Sequence, residues 1–137
     1  MGGFIDGEGT ITICTTAKTK TYVSKIAVSN TNKASIDLFE KEFGGKVRLR
    51  NYKKKHKNWK PCYEWMLTNQ KAYKVIKLLQ PYLKLKNRQA HLVLKVERVK
   101  FLYKKVSLRW NPDIKIRVHA TMQRIKDKVQ ILNKRGL

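Results

Sequence analysis

Acidic residues are scarce in this sequence. Nine Asp and Glu stand against 32 Lys and Arg in 137 residues, a formal charge of +23. So few carboxylates exclude a surface of balanced Lys–Glu ion-pair networks. The excess exceeds what solubility requires and points to a polyanionic partner. A nucleic acid, bound by phosphate neutralisation and counterion release, fits that charge. Cysteine is scarce too. Cys14 and Cys62 are the only two, which excludes a disulfide framework, and no Cys/His cluster has zinc spacing. His56, His91 and His119 are scattered, as packing or surface histidines are. No apolar run is long enough to span a bilayer, and no signal peptide is evident. The chain is therefore expected to be soluble and intracellular, in an organellar matrix or a prokaryotic cytoplasm. A hydrophobic content of 42% excludes disorder, and the length suits one domain over residues 1–137.

The patterning alternates between strand and helix periods. Thr10 to Thr16 is β-branched and alternating, with Ile11 and Ile13 on one face. Ala17 to Thr21 reads as a hairpin loop. Tyr22 to Ser29 is a second strand, with Tyr22, Ile26 and Val28 inward and Val23, Lys25 and Ala27 outward. Asn30-Thr31-Asn32 marks a helix start, and Ile36, Phe39 and Phe43 follow at helical spacing until Gly44-Gly45 ends it. A third strand runs from Lys46 to Tyr52. The basic stretch from Lys53 to Pro61 reads as a loop, and Cys62 to Thr68 is a fourth strand with Tyr63, Trp65 and Leu67 on one face. A helix capped by Thr68 or Asn69 runs to Leu79. Another is predicted from about Leu83 to Tyr103, interrupted at Ser107 to Asp113. Ile114, Val118, Met122, Ile125, Val129 and Leu132 then outline a last amphipathic helix. Paired strands followed by helices predict an α+β fold: an antiparallel sheet with helices on one face and the other face polar and basic.

The chain opens Met1-Gly2-Gly3-Phe4-Ile5-Asp6-Gly7-Glu8-Gly9. Small residues allow close backbone approach, and the stretch ends in carboxylates on a corner. This nonapeptide resembles the signature of the LAGLIDADG homing endonucleases. Gln80-Pro81-Tyr82-Leu83-Lys84-Leu85-Lys86-Asn87-Arg88-Gln89-Ala90 is similar to a second segment, "L-Q-P-hydrophobic-L-K-L-K", of their single-motif, intron-encoded members. The resemblance covers nearly the whole chain and implies an α-β-β-α-β-β-α core with a saddle-shaped antiparallel sheet and extra C-terminal helices. Family motif helices begin several residues earlier. The helix here is thus expected to be short, or the true start to lie upstream of Met1.

The resemblance further implies a homodimer, since the motif occurs once. Gly2, Gly3 and Phe4 would sit at the dimer contact, and the target would be a long pseudo-palindromic DNA cut on both strands. Glu8 falls at the metal-binding position, with the Gly7 carbonyl beside it, for Mg2+ or Mn2+; Asp6 is expected to be structural. Lys86 would steady charge near the scissile phosphate. Asn30 aligns with a residue that orients water, and also suits N-capping; Lys33 aligns loosely with a basic site residue. Base readout would fall to Arg48 and Arg50 on the free sheet face, with Thr10, Thr12, Lys25, Glu64 and Met66 in support. Lys53, Lys54, Lys55 and Lys57 suit phosphates. Two other functions fit the same fold: an intron RNA-splicing maturase, and a DNA-binding protein that no longer cuts.

Overall fold

The computed structural model describes residues 2–16, 21–50, 60–105 and 112–134. The elements are α1 (Gly2–Glu8), β1 (Gly9–Thr15), β2 (Tyr22–Asn30), α2 (Lys33–Phe43), β3 (Lys46–Arg50), β4 (Cys62–Thr68), α3 (Asn69–Leu79), α4 (Asn87–Lys105) and α5 (Pro112–Lys134). A 3-10 turn, Gln80–Tyr82, lies between α3 and α4. The strands form one antiparallel sheet in the order β1-β2-β4-β3.

Side-chain alternation sorts the sheet into two faces. Ile11 lies opposite Ile26, and Val28 opposite Trp65. These residues, with Ile13 and Leu67, point to the helices and are buried. Ile5, Ile36, Phe39, Ala72, Val75, Ile76, Ala90, Val93 and Val129 complete the same core. Trp65 is fully buried; its ring lies 5.1 Å from that of Phe39, and its indole N–H donates to the Gly44 carbonyl at 2.8 Å. Gly44 and Gly45 take φ of 75° and 91°, which ends α2 as the glycine pair predicts.

The C-terminal helices are bolted to the sheet by polar contacts as well. Ser24, buried on the inner face, donates to Glu97 at 2.5 Å. The Lys100 ammonium reaches both Glu97, at 3.3 Å, and the Tyr22 carbonyl, at 2.8 Å. The Tyr22 hydroxyl donates to Gln123 of α5 at 2.8 Å. Burial pushes its pKa up, and the charge of Asp127 adds to that. Among the described residues, no helix is long and apolar enough to cross a membrane.

Several boundaries differ from the sequence reading. The fourth helix starts at Asn87 rather than Leu83, because the backbone of residues 84–86 is bound elsewhere, as shown below. The last helix starts at Pro112, a residue well suited to a first helical position. The α2 cap is Asn32, whose side chain accepts from the Ser35 N–H at 3.4 Å; Asn30 remains in β2. Ala27 does lie on the outward face, yet it is buried there. The expected end of the third strand, and the loop with Lys53, Lys54, Lys55 and Lys57, lie outside the described residues.

Candidate functional site

The site is built around the junction of α1 and β1. α1 is only seven residues long, too short to be stable alone. Asp6 anchors it. Its Oδ2 accepts from the Lys84 N–H at 2.7 Å, and its Oδ1 from those of Leu85 and Lys86 at 3.1 and 2.9 Å. The Lys86 ammonium donates to the Asp6 carbonyl at 2.5 Å. Burial alone would raise the Asp6 pKa. The three N–H groups and the Lys86 charge outweigh it and hold the carboxyl below its ordinary value of 3.8. Asp6 is therefore consumed as a structural clamp between α1 and the approach to α4.

Glu8, two residues on, is the opposite case. It ends α1, is exposed, and has no hydrogen bond or ion pair among the described residues. Gly9 follows it directly. A Cβ at Gly9 would stand 2.8 Å from the Ile5 carbonyl oxygen, so only glycine lets the helix turn so tightly into β1 and leave Glu8 at the corner. The clamp brings Lys86 to the same end of the molecule. A crevice of about 210 Å3 lies there, lined by Gly7, Gly9, Thr10, Lys86, Gln89, Leu132 and Asn133.

The other expected site residues divide. Asn30 is the last residue of β2, at the sheet end where β1 begins, because Gly9 pairs with Val28. Its Oδ1 accepts from the Asn32 N–H at 2.8 Å, which leaves its amide N–H groups for another partner. Lys33 is instead held by Asp37 at 2.7 Å, on the exposed side of α2; that hydrogen bond and the carboxylate charge raise its pKa.

The dimer-contact residues also divide. Gly2 is buried against its own chain: a Cβ there would stand 2.7 Å from Tyr82 Cβ and 3.0 Å from its carbonyl oxygen. Phe4 packs inward, its ring 5.4 Å from that of Phe39. Of the α1 glycines, Gly3 and Gly7 are open, with nothing within 4 Å of a Cβ at either. They are four residues apart and so share one bare face of α1.

The outward sheet face carries the readout candidates. Strand alternation and register place Thr10, Thr12, Lys25, Met66, Arg48, Arg50 and Glu64 on it. Arg48 is exposed and has no partner among the described residues. Glu64 differs from the other candidates. It lies on this face but is only 8% exposed, since Arg50 donates to its Oε1 at 2.8 Å and Ser29 to its Oε2 at 3.4 Å. Directly opposite Arg48 in the register, it offsets the repulsion between the two arginines rather than offering a free acceptor.

For a divalent cation, one exposed carboxylate with a neighbouring backbone carbonyl at Gly7 is a hard-oxygen donor set, as Mg2+ or Mn2+ requires. It is an incomplete set. Among the described residues no three His, Cys, Asp or Glu converge to hold a metal ion, so remaining ligands would come from phosphate oxygens, waters or a second copy. Two crevice residues, Gln89 and Asn133, were missed by sequence reasoning. Gln89 lay within the quoted Lys86 segment, three residues on; Asn133 carried no local signal.

A helix that feeds into an antiparallel four-stranded sheet, with helices on one face and a carboxylate at the helix–strand corner, defines the LAGLIDADG class of α+β proteins. The chain belongs to the LAGLIDADG endonuclease family, whose profile matches residues 1–96. The nonapeptide motif occurs once in these 137 residues. Solved homing endonucleases share the fold. I-CvuI, in complex with its target in the presence of Ca, is 23% identical with a TM-score of 0.67, over 96% of this chain and 78% of that one. The archaeal intron-encoded I-Vdi141I, complexed with DNA, is 14% identical with a TM-score of 0.73, over 98% and 82%. A structure of I-CvuI with the I-CreI target and Mg, 24% identical, shows that DNA not cleaved. No curated protein matches the chain.

Proposed function

We propose that this protein is a site-specific DNA endonuclease that works as a homodimer and hydrolyses a phosphodiester on each strand of a long pseudo-palindromic target. The observation that carries the reading is the contrast at the motif's end. Asp6 accepts three backbone hydrogen bonds, while Glu8 is exposed and its carboxylate bonds none of the described residues, at a corner whose flanking Gly7 and Gly9 line a crevice with Lys86. A carboxylate with no structural duty, among so few acids, is a fitting ligand for a cation shared with DNA.

Each group then has a distinct duty. Glu8 and the Gly7 carbonyl would hold Mg2+ or Mn2+, which when bound supplies charge neutralisation and an acidified water. Lys86, already fixed by its bond to the Asp6 carbonyl, places a positive charge where negative charge grows on the phosphate. Asn30 offers amide N–H groups for water or phosphate at the same end. The bare Gly3–Gly7 face supports pairing of α1 with its copy across a two-fold axis, which would bring two such corners together and set two half-sites on the DNA. Arg48 and Arg50 would read base edges from the sheet face laid in the major groove.

Incubating the protein with a randomised duplex library and Mg2+, then sequencing the cut ends, tests this directly. Recovery of one pseudo-palindromic site is the expected result. No cut duplex under any divalent cation, with tight DNA binding retained, would leave a binding protein on the same fold. Preference for intron RNA over duplex in rising salt would leave a splicing factor instead.

A further inference from the structure

The crevice beside Lys86 holds a chain of amides whose polarity is fixed from one end. The Ile11 carbonyl can only accept a hydrogen bond. Asn133 therefore turns its Nδ2 toward it, at 3.1 Å, and its Oδ1 the other way. Gln89 meets that oxygen with its Nε2, at 3.5 Å. Its own Oε1 must then point away from Asn133. That atom is buried and has no hydrogen-bond partner among the described residues, in a residue only 7% exposed. A buried acceptor left unpaired is costly, and Gln89 lines the same crevice as Lys86, Thr10 and Gly7.

We propose that Gln89 is a positioning residue for the hydrolytic step: its Oε1 orients a water held in the crevice by the Lys86 ammonium, and Asn133 locks the amide in that sense. The inference rests on the endonuclease reading. Lys86 has three N–H donors and no acceptor, and one N–H is committed to the Asp6 carbonyl. A water accepting from another N–H has two hydrogens to place. Held by the ammonium alone, it can spin about that bond. Donating one hydrogen to Gln89 Oε1 stops the rotation and turns the remaining hydrogen and lone pair toward the mouth of the crevice, near Gly7. The crevice, about 210 Å3, accommodates several waters at about 30 Å3 each. The bond to Asn133 is long, at 3.5 Å, and the last torsion of Gln is broad, so the amide can tilt far enough to uncover Oε1 to that water without turning Nε2 away from Asn133. Gln89 follows Lys86 by three residues, so the opening of α4 delivers both to one side.

The test uses Gln89→Met, which keeps length and removes both donor and acceptor. A high-resolution crystal structure of the wild-type protein without DNA should show a water within hydrogen-bond distance of Gln89 Oε1 and Lys86 Nζ, missing from the variant. On the duplex recovered by the selection above, single-turnover cleavage at saturating protein should fall about 10- to 100-fold. The Kd for that duplex should stay within about twofold, and Tm should change little, because removal of the unpaired acceptor offsets loss of the long bond to Asn133. An unbridged crevice in the wild type overturns the proposal. So does unchanged cleavage, or a loss of rate that tracks a loss of Tm. A wild-type protein that cuts no duplex defeats the endonuclease reading and with it the part of Gln89 in hydrolysis, whereas a wild type that cuts while its crevice holds no bridging water defeats this inference alone.

Discussion

At Asp6, three backbone N–H groups converge on one carboxylate, and this contact sets the geometry of everything near it. Asp6→Asn keeps the shape but turns an NH2 toward those donors. It should cost about 2–4 kcal/mol, as loss of charge-assisted bonds at a buried group does. The pH dependence follows from the lowered pKa. A carboxyl with a folded-state pKa below its unfolded one contributes stability above the unfolded value. That contribution drains away as pH falls from about 3.8 through the lower folded value. Denaturant titrations from pH 7 to 2 should show this acid-limb loss in the wild type and a flatter limb in Asp6→Asn. Equal limbs would remove Asp6 from its clamping role. The arginines of the sheet face give a second residue-scale prediction. Arg48→Ala should relax specificity at about one base pair per half-site, costing roughly 1–3 kcal/mol against the preferred base. Glu64→Ala should disturb readout through Arg50, because it removes the acceptor at 2.8 Å that holds that guanidinium. Profiling cleavage over single-base variants of the selected site checks both; a loss uniform across all variants would make Arg48 a phosphate contact.

Among the elements, α1 separates two duties of small residues that look alike in sequence. Gly2→Ala should destabilise the monomer, since the new Cβ has no room against Tyr82. Gly3→Leu should leave the fold intact and break the dimer by overpacking the shared face. Thermal melts beside sedimentation separate the outcomes: a dimer unchanged by Gly3→Leu would place the two-fold contact elsewhere. These duties were only partly legible from sequence. Strand period and the glycine pair gave β1, β2, β4 and α2 nearly to the residue, because local alternation and the positive φ that glycine allows are written in neighbouring side chains. The start of α4 was not. It depends on Asp6, about eighty positions away from Lys84–Lys86, and no local pattern encodes such a partner. The burial of Glu64 is not legible for a related reason. Alternation shows which face a side chain takes, but not that Arg50 and Ser29 will cover it. Gln89 and Asn133 meet through tertiary packing alone.

For the whole molecule, the charge of +23 exceeds what the sheet face accounts for. Lys71, Lys74 and Lys77 on α3, and Arg88, Lys95 and Arg98 on α4, add exposed cations on the helix side. Affinity for duplex should therefore fall steeply with salt, log K against log[salt] having a slope of about −0.9 per phosphate neutralised. That distributed attraction is independent of the corner at Glu8, and this independence makes the central claim testable. The measurement is single-turnover cleavage of the selected duplex, beside a binding isotherm, for the wild type and Glu8→Gln in Mg2+. Glu8 is exposed and bonds no described residue, so the variant should fold, dimerise and bind with equal or slightly tighter affinity. Its cleavage should fall by about 10³-fold or more, since cation binding and charge neutralisation are lost together. Full cleavage by Glu8→Gln would contradict the account and make the corner a structural feature only.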